Sequence, residues 1–232
     1  NIAAVKDQTE IDALQTAVDI TDRVFDLILP EIKVGVTEKQ IAARISYLFI
    51  QEGGDGDSYD PIIASGANGA LPHATPSDKE IEKGDFIVMD FGSLYKGYHA
   101  DMTRTIVVGE ASERHHEIYN IVLESQLAGI AAAKSGIKCS ELDNACREVI
   151  DAKGYGELFM HSTGHGLGLE VHTMPRITWM NHSLLEENNV ITIEPGIYIA
   201  GWGGVRIEDD CLILKDQCRP MNSSTKELVV VD

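Results

Sequence analysis

FIVMDFGSLYKGYHADMTRTIVVG, residues 86–109, predicts two β-strands, and each carries an aspartate beside apolar residues. Asp90 ends the run FIVMD, and Asp101 precedes the run MTRTIVV. A similar arrangement recurs in residues 190–214, where VITIE ends at Glu194 and VRIE ends at Glu208. A carboxylate inside an apolar strand costs free energy unless a partner compensates for it. The four strands therefore predict one partner that all four carboxylates share.

A fifth residue, His165, lies in the glycine-rich stretch STGHGLGLEVH. Hard carboxylate oxygens and one imidazole suit Mn, Co, Zn or Fe ions. Bridging carboxylates can hold two such ions about 3.5–4 Å apart, a spacing suited to hydrolysis. The sequence thus predicts a two-metal site whose ligands are Asp90, Asp101, His165, Glu194 and Glu208.

Four of these five residues also have a simpler explanation when each is taken alone. Asp101 could be a turn aspartate paired with Arg104. Glu194 could end a strand at a Pro-Gly turn, and residues 208–210 could form a solvated acidic surface. The glycines around His165 could mark a tight loop. The occurrence of all five in duplicated strands favours the metal site.

The two halves of the chain resemble each other. KVGVTEKQIAARI, residues 33–45, aligns with KSGIKCSELDNACREVI, residues 134–150, with Ile41 matching Leu142. The corresponding polar residues are Asp90 and Glu194, Asp101 and Glu208, and His73 and His172. Two repeats are too few for a solenoid, so the pattern predicts a pseudo-symmetric pair facing one central site.

The chain contains the four motifs MDFGSLYKGYHADMTRT, HSTGHGLGLEVH, ITIEPGIYI and GGVRIEDD. They resemble the motifs of the pita-bread metallopeptidases, a family that comprises methionine aminopeptidases, aminopeptidase P and prolidase. The forms YxGYxxDMTRT and PGIYIxGWGGVRIED are most similar to the proline-specific branch. The resemblance spans nearly the whole chain. It implies the pita-bread (creatinase/aminopeptidase) fold, an α+β architecture with two pseudo-symmetric α/β halves around a central antiparallel sheet.

The resemblance also implies a role for each site residue. Asp90 would bind one metal alone, and Asp101 and Glu208 would bridge both. His165 and Glu194 would bind the other metal, and Glu194 would also carry a proton from the bridging water toward the proline nitrogen. The supporting residues would be His73 near the nucleophile, His172 at the substrate carbonyl, His161 on the proline side, and Tyr198 and Arg206 at polar ends of the substrate.

The implied function is a dinuclear exopeptidase that hydrolyses the Xaa-Pro bond at the N-terminus of peptides or in Xaa-Pro dipeptides, with a hydroxide between the metals as nucleophile. Mn²⁺ is the first expectation, and Co²⁺, Zn²⁺ and Fe²⁺ stay open. Two alternatives remain, a methionine aminopeptidase-like activity and a non-catalytic module on the same fold. A dipeptidase would need a cation for the free carboxylate after proline, and Arg206 and Arg176 are the nearby candidates.

Two features depart from the family pattern. The family commonly has Glu after the VH of the second motif, whereas this chain has Thr173, which affects the support of His172 but no metal ligand. Proline-specific members usually carry a separate N-terminal domain. Residues 1–232 are expected to form a single catalytic domain without it.

The net charge of −18 argues against nucleic acid and anionic membranes as partners, because both attract clustered Lys and Arg. No apolar run approaches the roughly 18 residues of a membrane span, and no signal peptide is visible. The four cysteines lack CxxC spacing, which favours reduced thiols in the cytoplasm. The expected partner is a peptide with proline second, and a homodimer is the default expectation for the assembly.

Helix starts can also be predicted. DQTE and TEKQ are capping boxes, so Asp7 and Thr37 are expected to begin the first two helices. Ser112 and Ser140 are expected to cap a third and a fourth helix, and residues 227–231 predict a last strand.

Overall fold

The computed structural model describes residues 3–232, and residues 1 and 2 lie outside the described part of the chain. Within that part the chain forms four α-helices and three short 3-10 helices. The α-helices are α1 (Gln8–Ile28), α2 (Glu38–Gln51), α3 (Glu113–Ala132) and α4 (Cys139–Ala152). The 3-10 helices are Leu29–Glu31, Gly66–Ala70 and Gly156–Leu158.

Fourteen strands occur in the described residues. They are β1 (Gly56–Asp57), β2 (Ile62–Ser65), β3 (Phe86–Phe91), β4 (Ser93–Tyr95), β5 (Tyr98–His99), β6 (Met102–Val108), β7 (Gly164–Gly166), β8 (Thr173–Ile177), β9 (Val190–Ile193), β10 (Gly196–Ile199), β11 (Gly203–Arg206), β12 (Asp209–Ile213), β13 (Cys218–Pro220) and β14 (Val229–Val231). The two largest sheets have the strand orders β14-β6-β3-β2 and β13-β12-β9-β7-β8. Their pairings are antiparallel except that of β14 with β6, which is parallel.

The helices begin where the capping residues predict, with one exception. The confirmed caps are Asp7, Thr37 and Ser112. The prediction for the fourth helix is wrong, because α4 begins at Cys139 and Ser140 lies inside its first turn. The backbone N–H groups of Cys139 and Ser140 donate to the carbonyl oxygens of Ser183 at 3.0 Å and Asn181 at 2.8 Å. A long-range backbone contact therefore satisfies groups that a side-chain cap would otherwise serve.

Each half has its own apolar core. One core packs α1 and α2 against the four-stranded sheet, with Phe25, Phe49 and Phe91 among its buried side chains. The other packs α3 and α4 against the five-stranded sheet around residues such as Ile150 and Ile193. This is the two-half α+β architecture that the sequence predicts. No helix in residues 3–232 is long and apolar enough to cross a membrane.

The acidic residues occupy matching places in the two halves. Asp90 lies in β3 and Glu194 directly follows β9, whereas Asp101 directly precedes β6 and Glu208 directly precedes β12. β3 pairs with β6, and β9 pairs with β12. The halves meet where residues 103–105 contact residues 206–208, for example through the Glu208 N–H and the carbonyl oxygen of residue 103 at 3.1 Å. We call this contact the seam.

Arg104 ties the two halves together at the seam. Its side chain is 1% exposed and donates to Asp209 Oδ1 at 2.7 Å and to the Glu208 carbonyl oxygen at 2.5 Å. It also donates to the carbonyl oxygens of residues 224–225, each at 3.0 Å. The alternative pairing with Asp101 is therefore wrong, because the carboxylate partner of Arg104 is Asp209.

We expect Arg104→Met to lower the free energy of unfolding by about 3 kcal/mol, because it leaves Asp209 buried without its main partner. Lys226 still lies 2.6 Å from Asp209, which limits the loss. The shift of the urea midpoint measures this change. Arg44→Met is the control, since Arg44 pairs with Glu31 at the surface and is worth at most about 1 kcal/mol. Equal losses in the two variants would contradict the assignment.

Candidate metal centre and substrate cavity

A cavity of about 190 Å³ lies between the two halves at the seam. Its wall contains the five predicted metal ligands. It also contains four of the predicted supporting residues, His73, His161, His172 and Arg206. The fifth supporting residue, Tyr198, is hydrogen-bonded to His161 and Arg206. The fold thus brings together residues that are spread over most of the chain.

Three predicted ligands converge most closely. One ligand atom from each of Asp101, His165 and Glu208 lies within 4.8 Å of the other two. The Nε2 atom of His165 is 3.5 Å from Asp101 Oδ2 and also 3.5 Å from Glu194 Oε1. Four of the five predicted ligands therefore have side-chain atoms within 4.8 Å of at least one other predicted ligand.

Asp90 faces the same cavity through two polar partners. Arg206 Nη2 donates to Asp90 Oδ2 at 2.5 Å, and the Tyr59 hydroxyl lies between Asp90 and Asp101 and shares its one proton with them. Burial, and then the neighbouring carboxylates, raise the pKa of Tyr59 well above its usual value, so its hydroxyl stays a donor. Tyr59 is not among the predicted site residues, because DSYD, residues 57–60, contains no motif that marks the tyrosine.

The crowded carboxyl groups fit a divalent cation. Burial, and then neighbouring carboxylates, raise the pKa of three of them well above the usual values, namely Asp101, Glu194 and Glu208. Among the described residues, Glu208 Oε1 is buried without a hydrogen-bond partner. Buried like charges are costly unless positive charge joins them. Divalent cations would supply that charge and a partner for the orphaned oxygen.

His165 presents a neutral nitrogen to these carboxylates. Its Nδ1 donates to the Gly166 carbonyl oxygen at 3.1 Å, which leaves the Nε2 lone pair facing the cavity. Burial, and then the neighbouring His172, lower the pKa of His165 to about 3. The His165 backbone N–H donates to Thr192 Oγ1 at 3.1 Å, and that hydroxyl donates to Glu194 Oε1 at 3.3 Å. One threonine thus supports two predicted ligands.

Residues 208–210 do not form a solvated acidic surface, because their exposed fractions are 1%, 1% and 0%. Each carboxylate has a separate contact. Glu208 Oε2 accepts from Thr103 Oγ1 at 2.5 Å, and Asp210 Oδ2 accepts from the Asp101 backbone N–H at 2.9 Å. Asp209 binds Arg104. Glu208 therefore faces the cavity as a predicted ligand, and Asp210 alone of the three supports another predicted ligand from behind.

A hydrogen-bonded row connects Arg206, Tyr198 and His161. Arg206 Nη1 donates to the Tyr198 hydroxyl oxygen at 2.8 Å, and that hydroxyl donates to His161 Nε2 at 2.8 Å. His161 Nδ1 donates to the Ser162 carbonyl oxygen at 2.9 Å. Burial, and then the Arg206 charge, lower the pKa of His161 to about 3. The row holds His161 neutral at the cavity wall.

His73 and His172 line the cavity from different halves. The ring centroid of His172 is 4.3 Å from that of His165. Burial, and then Arg176, lower the pKa of His172. The Thr173 hydroxyl donates to the neighbouring backbone carbonyl oxygen of residue 174 at 3.3 Å. This contact is local, and it differs from the support of His172 that the family pattern assigns to a glutamate.

Four acidic side chains clustered with the neutral imidazole of His165, in a cavity between two matching halves, form the donor set of a metal-dependent hydrolase. Residues 12–215 match metallopeptidase family M24. The chain belongs to this family, and the match confirms the predicted resemblance.

Named relatives are similar over nearly the whole chain. The Xaa-Pro dipeptidase of Pyrococcus furiosus is 45% identical over 229 residues, which cover 99% of this chain and 66% of that protein. Two solved structures, an Xaa-Pro dipeptidase from Bacillus anthracis and an X-Pro aminopeptidase from Thermotoga maritima MSB8, each match with a TM-score of 0.98 and 45% identity. Each match covers 99% of this chain and 65% of the other chain. This chain therefore spans about two thirds of the length of these relatives, and the predicted pita-bread fold is confirmed.

We expect Glu208→Gln to weaken metal binding and to stabilise the metal-free protein. The amide removes one negative charge from the cluster at nearly the same size, and its nitrogen is not a metal ligand. Thermal unfolding with chelator and with Mn²⁺ tests both effects, since metal at 100 times its Kd adds about 2.7 kcal/mol to the wild type. Glu187→Gln, at an exposed position, is the matched control. An equal gain from Mn²⁺ in wild type and Glu208→Gln would remove Glu208 from the ligand set.

Proposed function

We propose that this chain hydrolyses the Xaa-Pro bond at the N-terminus of peptides or in Xaa-Pro dipeptides, with two divalent cations, Mn²⁺ first, as cofactors. The observation that carries the proposal is the convergence of Asp101, His165 and Glu208 within 4.8 Å, in a cavity that Asp90 and Glu194 also line. The names of the similar proteins support the substrate class. When bound, the cations would lower the pKa of water and polarise the scissile carbonyl.

The chain's own residues would move the proton and hold the substrate. We assign proton transfer to Glu194, because its carboxylate lines the cavity and Thr192 orients one of its oxygens. We assign stabilisation of the developing oxyanion to His172, next to His165. His161 would hold the proline side, and His73, near the nucleophile, would act on the same side by assisting the leaving proline nitrogen. Proline offers no N–H to bind and has a fixed ring, so the shape of the wall must orient it.

We assign the free carboxylate of a dipeptide to Arg176 and not to Arg206. Arg206 is 3% exposed, and its guanidinium already donates to Asp90 and to the Tyr198 hydroxyl. It also donates to the carbonyl oxygen of residue 72 and to the hydroxyl of residue 103. Arg176 lines the cavity and is exposed to solvent. A guanidinium is suited to a carboxylate because it can donate two parallel hydrogen bonds. Arg206 would then act on the substrate through Tyr198 and His161.

Two alternatives keep their own tests. A methionine aminopeptidase-like enzyme would cleave Met-initiated peptides that lack proline. A non-catalytic module would cleave nothing, but the retained set of five candidate ligands argues against it.

The proposal also includes a homodimer in the cytoplasm, and the four free cysteines agree with a reducing compartment.

The first test is hydrolysis of an Xaa-Pro dipeptide and an Xaa-Pro-Yaa tripeptide by the Mn²⁺-loaded chain. We expect cleavage that chelation abolishes and Mn²⁺ restores, because the carboxylate cluster holds the ions. Cleavage of both peptides would identify an aminopeptidase P type, and cleavage of the dipeptide alone would identify a dipeptidase. A Met-Ala peptide is the control for the alternative. Two Mn²⁺ ions per chain without cleavage of either proline peptide would overturn the proposed substrate.

A second test concerns Arg176. We expect Arg176→Gln to lower kcat/KM for an Xaa-Pro dipeptide by about 10–100-fold, since a hydrogen bond to a charged group is worth about 1.5–3 kcal/mol. The C-terminally amidated dipeptide lacks the carboxylate and should lose less than about threefold by the same argument. Steady-state kinetics with both substrates measure the difference. Equal losses on both would exclude Arg176 as the carboxylate site.

A further inference from the structure

Glu38, the first residue of α2, is a charged side chain outside the cavity wall with 0% exposure. Its Oε1 accepts from the Ser65 N–H at 2.7 Å, the Ser65 hydroxyl at 2.9 Å and Asn68 Nδ2 at 3.1 Å. Its Oε2 accepts from the Ser77 N–H at 3.0 Å and the Ser77 hydroxyl at 2.7 Å. Burial alone would raise the pKa of Glu38, but the hydrogen bonds from Ser77 and Ser65 together lower it. The group is therefore an ionised acceptor.

The partners of Glu38 are the two ends of the segment that carries His73. Ser65 ends β2 and Ser77 follows the segment, so residues 66–76 form a loop whose ends bind one carboxylate. The backbone of α2 adds a contact, because the Lys39 N–H donates to the Ser77 carbonyl oxygen at 3.1 Å. Glu38 thus fixes the separation of the loop ends on either side of His73.

The second half contains a matching arrangement on α4. Asp143 is 0% exposed, and its Oδ1 accepts from the Thr163 N–H at 3.0 Å and the Thr163 hydroxyl at 2.9 Å. Its Oδ2 binds Arg147 Nε at 2.7 Å. Arg147 in turn donates to the carbonyl oxygen of His161 and, at 3.0 Å, to that of Phe159. Asp143 and Arg147 together hold the backbone on both sides of His161.

The two carboxylates also occupy related places on their helices. In the alignment of the halves Glu38 corresponds to Cys139, and Asp143 lies one helical turn later. Residues four apart lie on one face of a helix. Each half therefore uses the same helix face, near the helix start, to hold a histidine-bearing segment.

We propose that Glu38 and Asp143 are positioning residues, Glu38 for His73 and Asp143 for His161. This inference rests on the proposed function, in which both histidines act on the proline side of the substrate. A carboxylate is required because only an ionised carboxyl group accepts at both oxygens without donating. An amide at either place would set an N–H₂ group against other donors.

The test is a double-mutant cycle between Glu38→Gln and His73→Ala, with Mn²⁺-loaded protein and an Xaa-Pro dipeptide. We expect Glu38→Gln to lower kcat about tenfold, the scale seen when the support of an active-site residue is lost. In the His73→Ala background the same substitution should change kcat less than about twofold, because the supported side chain is gone. Asp143→Asn with His161→Ala forms the second arm. Glu31→Gln, at a surface pair with Arg44, is the matched control.

A second readout does not depend on activity. Hydrogen exchange of the amides in residues 66–77 should become faster in Glu38→Gln, while the Mn²⁺ content stays at the wild-type level. Ser77→Ala is the milder variant should Glu38→Gln fail to fold, and it should show the same changes at smaller size. Unchanged exchange, or equal kcat losses with and without His73, would overturn the positioning role. An inactive wild type with two bound Mn²⁺ ions would instead overturn the proposed function.

Discussion

Repulsion among buried carboxylates is the constraint on which the rest of this structure depends. Asp90, Asp101, Glu194 and Glu208 share a cavity of about 190 Å³, where the neutral imidazole of His165 lies beside them. Such a cluster opposes folding unless the surrounding chain fixes it and positive charge enters it. The strands that carry the acids are therefore buried on both faces, as β3, β6 and β12 show. The apolar cores of the two halves supply the stability that the cluster reduces.

The polar residues behind the cluster have contacts that follow from this constraint. Thr103 donates to Glu208, Asp210 accepts from the Asp101 backbone, and the Tyr59 hydroxyl shares its one proton between Asp90 and Asp101. These contacts fix the orientation of each carboxylate at little cost in conformational freedom. A preformed set of candidate ligands would bind cations without a large rearrangement.

Much of this arrangement could be predicted from the sequence. The two-half α+β fold follows from duplicated strands that have an acid at or beside one end, and three helix starts follow from local capping residues such as Asp7. The site residues lie around one cavity because their motifs lie at corresponding strand ends. What could not be predicted depends on contacts between distant segments. Ser140 has a cap-like sequence, but backbone carbonyls from residues 181–183 replace the cap.

Tyr59 and Glu38 illustrate the same limit. Tyr59 lies in no motif, and Glu38 lies inside the TEKQ capping box without being one of its capping residues. Each acquires its importance from partners that another strand or loop brings to it. The alternative pairing of Arg104 with Asp101 fails for a related reason. Asp101 is close to Arg104 along the chain, but Asp209 is its partner across the seam. Local sequence identifies candidate groups, whereas the fold decides which of them meet.

The two halves supply equal numbers of carboxylates to the cavity but differ in their other candidate ligands. Each half supplies two carboxylates to the cavity, but only the second half supplies the imidazole of His165. The matching position in the first half is Gly66, which has φ +52° and would place a Cβ 2.5 Å from Asp85 Oδ1. A histidine there would be strained and without room. One end of the ligand set is therefore all oxygen and the other contains nitrogen, so two ions bound there would differ in their ligands. The fold thus repeats the placement of the carboxylates in the two halves but does not repeat the imidazole of His165.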